Sequence, residues 1–101
     1  MKIVLIHGKD TDLSQKWYPW LGVVAQKRGY EYLAPILPHP NDPIIDEWLA
    51  EIDKTVPDEN TILIGHSRGG VAILRWLEKQ KSTVKIKKVI LVSTNSGKLA
   101  D

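Results

Sequence analysis

The chain has no cysteine, no phenylalanine and a single methionine among its 101 residues. Without cysteine there is no disulfide framework, no thiolate metal site and no cysteine nucleophile. No apolar run approaches the roughly 20 residues that a membrane-spanning helix needs. The opening Met1-Lys2-Ile3-Val4-Leu5-Ile6-His7-Gly8 is apolar but lacks a small-residue cleavage site. It therefore does not read as a secretory leader, and the expected compartment is the cytoplasm. A charge excess of one sign is missing too, since 14 basic and 12 acidic residues leave a net +2. Five lysines do cluster between Lys79 and Lys88. No aromatic residue interleaves them as a base-stacking surface requires, so the run reads as a solvated helix end and loop. Neither nucleic acid nor membrane is expected as a partner.

What is present suits one globular domain spanning residues 1–101. About a hundred residues support a single core, and 43% hydrophobic with 26% charged residues is an ordinary globular balance. Ile3 to Ile6 is a continuous apolar run, as in a strand buried on both faces. Trp17, Trp20, Leu21, Val24 and Ala25 follow at helical spacing, with Pro19 suited to a first turn and Gly29 to a stop. Tyr30 to Ala34 reads as a short strand, and Pro35, Pro38, Pro40 and Pro43 break the loop after it. Ile44, Ile45, Trp48, Leu49, Ile52 and Val56 form one apolar stripe opposite Asp46, Glu47, Glu51 and Asp53, which predicts an amphipathic helix. Thr61 to Ile64 is a third strand. A sharp turn from Gly65 to Gly70, a helix through Val71, Leu74 and Leu77, and a last strand over Ile86 to Val92 complete the pattern. The four tryptophans, Trp17, Trp20, Trp48 and Trp76, are read as core before interface.

Strands and helices alternating in this way predict an α/β fold, a mostly parallel sheet with helices on both faces and right-handed crossovers. Chemistry in such sheets gathers beyond the carboxyl ends of the strands. Two loops lie there, His7-Gly8-Lys9-Asp10 and Gly65-His66-Ser67-Arg68-Gly69-Gly70. The second fits G-x-S-x-G, in which glycines two before and two after a serine let the backbone pack closely around a strained strand-to-helix turn. The serine hydroxyl is thereby pushed into the open, where the first N–H groups of the following helix can face a developing oxyanion. Ser67 is the candidate nucleophile, Gly65, His66, Gly69 and Gly70 form its turn, and the main-chain N–H of Arg68 is a candidate oxyanion donor; resemblance to α/β-hydrolases, which take a second donor from the loop after the first strand, implies the N–H of Lys9 as the other. The competing reading, a phosphate-binding turn with Ser67 as helix cap, is disfavoured because neither G-x-G-x-x-G nor G-x-x-x-x-G-K-[ST] occurs. His7 alone reads as a hydrogen-bonded histidine at a strand end.

Val4-Leu5-Ile6-His7-Gly8, Trp17-Tyr18-Pro19-Trp20-Leu21, Leu37-Pro38, Asp46-Glu47-Trp48-Leu49, Ile64 through Gly70, and Ile90-Leu91-Val92-Ser93 occur in this order along the chain. In these stretches the chain resembles the small serine hydrolases of the YdeN and retinoblastoma-binding-protein-nine type, within the α/β-hydrolase superfamily. The resemblance implies an esterase-like enzyme acting on a small ester or acyl substrate, with no metal and no organic cofactor. It also implies strand order 2-1-3-4.

That family orders its triad Ser…Asp/Glu…His. After Ser67 this sequence has no histidine, and its only acids are Glu78 and Asp101. The chain thus resembles the N-terminal part of the family, a shortened α/β-hydrolase fold without the later strands and helices. Among its histidines, His66 should be aimed away from Ser67, and His39 has Asp42 or Asp46 near enough in sequence to orient it. A triad assembled from these is not expected. Val89 to Val92 would lie at a sheet edge yet is apolar on both faces, so the Ile86–Val92 edge is expected to be covered by a second copy or by a complementing polypeptide. The other reading is a non-catalytic module that docks a partner through this edge.

Overall fold

The computed structural model describes residues 1–94. Four strands, β1 (Lys2–Ile6), β2 (Glu31–Leu33), β3 (Thr61–His66) and β4 (Lys88–Val92), pair in parallel in the order β2-β1-β3-β4. Three helices, α1 (Tyr18–Lys27), α2 (Ile45–Lys54) and α3 (Arg68–Glu78), make the crossovers. Pro19 sits in the first turn of α1, and Gly29, at φ 76°, follows its last turn. Asp46 and Glu47 begin α2 and Lys54 ends it, each complementing the helix dipole.

Alternation along β1 divides the core in two. Val4 and Ile6 point into the larger cluster, with Leu63, Trp48 and Ile52 of α2, and Ile73 and Trp76 of α3. Ile3 and Leu5 point to the opposite face, against Ile64 and against Tyr18 and Ala25 of α1. Helices therefore cover both faces, as the sequence pattern predicts. Trp48 is fully buried and its indole N–H donates to Pro38 O at 2.8 Å. Trp76 donates to Asp53 Oδ1 at 2.7 Å. These bonds let two polar ring nitrogens enter the interior without loss.

Several boundaries differ from the sequence pattern. Val56 is not part of the stripe: it takes φ 50° and is 68% exposed, because Pro57 cannot continue a helix. Trp20 is 64% exposed on the outer side of α1. β2 and β4 are shorter than the apolar runs, whereas β3 is longer. Gly65 and His66, read as the start of a turn, stay in the ladder opposite Leu91 and Val92. The turn that remains between β3 and α3 is Ser67 alone. Of the terminal residues, 95–101, including Asp101, lie outside the described residues.

Truncating Trp48 to alanine removes the largest buried side chain and leaves Pro38 O without its donor. A loss of about 3–5 kcal/mol in urea unfolding is expected for Trp48→Ala. A loss below about 1 kcal/mol would contradict the packing.

Candidate active site

Ser67 stands at the carboxyl end of the sheet with φ 54° and ψ −119°, a conformation that side chains with a Cβ rarely adopt. Its backbone is fixed on both sides. The N–H donates to Val92 O at 2.9 Å, extending the β3–β4 ladder by one residue, and the carbonyl accepts from Gly70 N–H at 3.0 Å and the Thr94 hydroxyl at 3.1 Å. The side chain is exposed, and among the described residues nothing hydrogen-bonds to its hydroxyl. Although Ser67 holds the N-cap position of α3, its Oγ does not cap the helix.

Gly69 is required by the close approach of α3 to β1. A Cβ there would overlap Ile6 O and stand 2.5 Å from His7 O. The same approach brings the first loop to the serine, since a Cβ on Gly8 would stand 3.3 Å from Ser67 Cβ. The next residue is Lys9, whose backbone N–H makes no hydrogen bond among the described residues. Arg68 begins α3, so its N–H belongs to the helix terminus beside the serine.

A family model for serine hydrolases matches residues 3–100. The chain belongs to the serine hydrolase family. The putative hydrolase YdeN of Bacillus subtilis (strain 168) is 32% identical over 94 residues, which cover 91% of this chain and 50% of that protein. The serine hydrolase RBBP9 of Rattus norvegicus is 34% identical over 101 residues, covering 98% and 52%. The crystal structure of the B. subtilis ydeN gene product superposes with a TM-score of 0.85 at 32% identity, over 92% of this chain and 51% of that one. The chain thus spans about half the length of the relatives it matches.

In this serine hydrolase chain each of the three histidines uses Nδ1 for a hydrogen bond to a partner other than Ser67. His39 Nδ1 lies 2.8 Å from Glu47 Oε1, so its partner is neither Asp42 nor Asp46, and Asp46 instead faces Lys79 Nζ at 3.5 Å. His7 Nδ1 donates to Gly8 O at 2.9 Å. His66 points back from the serine as expected, with Nδ1 2.6 Å from the hydroxyl of Tyr18. That hydroxyl also accepts the Gly8 N–H at 3.1 Å. Tyr18 thereby clamps the first loop to the serine turn, a role that sequence reading did not assign to it; the only signal was its place in the Trp17–Leu21 stretch. Trp17 packs edge-on against His66, their ring centres 5.4 Å apart. Among the described residues, no cluster of His, Asp and Glu is arranged to hold a metal ion, and no helix is long and apolar enough to cross a membrane.

Burial, and secondarily the nearby Lys16 ammonium, hold the His66 pKa below its ordinary 6.5. The unfolded chain therefore takes up this proton near pH 6.5, while the folded chain resists it. Stability from His66 is complete above pH 6.5 and falls as the pH drops from 6.5 through the lower folded value. His66→Asn keeps an acceptor for Tyr18 but cannot titrate. The urea midpoint should fall less in His66→Asn than in the parent between pH 7.5 and 5.5; equal falls would contradict the neutral His66.

Proposed function

We propose that the chain supplies the nucleophile and oxyanion-binding half of a cytoplasmic, esterase-like hydrolase of small esters or related acyl compounds. The observation that carries this reading is the single-residue turn at Ser67, exposed and with an uncommitted hydroxyl. Ser67 Oγ attacks the substrate carbonyl carbon, and the carbonyl oxygen takes up the negative charge. The N–H groups of Lys9 and Arg68, with the positive end of α3, stabilise that oxygen. Collapse expels the alcohol, and water then releases the acyl group from the serine. No metal or organic cofactor takes part in these steps.

The proton of Ser67 needs a histidine and an orienting acid, and neither follows Ser67 in a position to act. In this reading both come from polypeptide that continues the sheet past β4. Two observations support that. The matched relatives are about twice as long. Among the described residues β4 pairs with β3 alone, leaving Ile90 39% and Leu91 40% exposed.

The test is labelling with a fluorophosphonate, followed by mass spectrometry of the modified peptide. The isolated chain should label at Ser67 in preference to its other serines, at a rate about 10⁴- to 10⁶-fold below that of a relative with both partners. Ser67→Ala should abolish the adduct. Indiscriminate labelling, or none over days, would overturn the assignment and leave the docking module as the better reading.

A further inference from the structure

Beyond the carboxyl ends of β1 and β2, the first loop faces the proline-rich loop across a cavity of about 330 Å³. The N–H of Asp10 donates to Pro40 O at 2.8 Å and ties the two loops together. Leu13, Ile36, Leu37 and Pro40 make the wall largely apolar. Ile36, 83% exposed, leaves its side chain open to whatever enters. A cavity of ~150 Å³ lined by apolar groups admits benzene, so this one has space for an aryl or branched alkyl group with a substituent.

His7 also lines the cavity and is itself 2% exposed. Gly8 O, 2.9 Å from Nδ1, can only accept, so Nδ1 carries the ring proton. The Thr11 hydroxyl donates to the same carbonyl at 2.6 Å and presents its oxygen to Nδ1 at 3.0 Å, which reinforces that tautomer. Nε2 is left as a bare acceptor, and nothing among the described residues hydrogen-bonds to it. No side-chain nitrogen or oxygen among those residues is both sealed and unpaired, so Nε2 is not sealed, and His7 is one of the residues that line the cavity. Asp12 and Ser14 line the cavity too, with the Ser14 N–H and hydroxyl both donating to Asp12 Oδ1, and an imidazole acceptor held this way in a largely apolar pocket selects a ligand that brings a donor.

We propose that this cavity is a subsite for a small apolar group, aryl or short alkyl, bearing one hydroxyl, and that His7 Nε2 accepts the hydroxyl proton. Identifying the occupant as part of the substrate rests on the serine hydrolase reading; the binding itself does not.

Phenol and anisole share a ring and differ in the donor, so titrating each into the full ¹⁵N-labelled chain isolates the role of Nε2. Both should shift the backbone amides of Leu13, Ile36 and Leu37. Phenol should bind about tenfold more tightly, and phenol alone should move the His7 Nε2 resonance upfield. Leu13→Trp, which fills the space, should remove both responses, and His7→Phe should remove the preference. The Nε2 resonance of the unmodified chain decides the matter even where His7→Phe does not fold. Equal affinities, an unmoved Nε2 resonance or no saturable shift would overturn the subsite. Selective labelling of Ser67 without a phenol preference overturns the subsite alone. A phenol preference without selective labelling overturns the hydrolase reading alone.

Discussion

One residue carries the chain from β3 into α3, and that shortage of backbone is the constraint on which the site depends. The ladder to β4 runs through His66, and the helix begins at Arg68. Ser67 has no neighbours to share the change of direction, so it takes φ 54° and ψ −119° by itself. Strain of this kind costs on the order of 1–3 kcal/mol and persists only where the surroundings over-determine the backbone. Here they do, because Val92, Gly70 and Thr94 hold both backbone groups of the serine. With its backbone fixed and its side chain exposed, the hydroxyl has no hydrogen-bond partner among the described residues.

The rest of the upper surface follows from this turn. A tight turn places the start of α3 directly over the end of β1, which only glycine at position 69 allows. The first loop is then pressed against the serine, and the Tyr18 hydroxyl holds it there by bonding to Gly8 N–H and His66 at once. His66 is consequently committed to structure. A half-buried imidazole bonded to a tyrosine and turned away from the serine is not placed to act as the base for its own neighbour. Among the described residues no histidine hydrogen-bonds to Ser67, and β4 pairs with β3 alone.

Much of this was legible in the residues. Alternation in Ile3-Val4-Leu5-Ile6 assigned one strand to two clusters, and the helical spacing of Ile45, Trp48, Leu49 and Ile52 located the helix on the larger one. Gly65 and Gly69 marked the serine turn because close backbone approach leaves a compositional trace. Three features left none. The reach of β3 through His66 depends on pairing with strands on both sides, which no local pattern records. The tyrosine clamp joins residues 48 apart in sequence. The His39–Glu47 pair formed in place of one with Asp42 or Asp46, since the helical turn at Ile45–Glu47 decides which carboxylate faces the loop. Local backbone chemistry also overrode hydrophobicity at Val56, where the following proline ended the helix first.

The central claim is that Ser67 is strained in order to present its hydroxyl. Comparing the unfolding free energies of Ser67→Gly and Ser67→Ala measures it directly. Elsewhere glycine costs roughly 0.5–1 kcal/mol relative to alanine, through the greater freedom of the unfolded chain. At this φ and ψ alanine keeps the strain and glycine releases it, so Ser67→Gly should be the more stable of the two by about 1 kcal/mol or more. If Ser67→Gly proves no more stable than Ser67→Ala, the turn is relaxed and the account of the site fails.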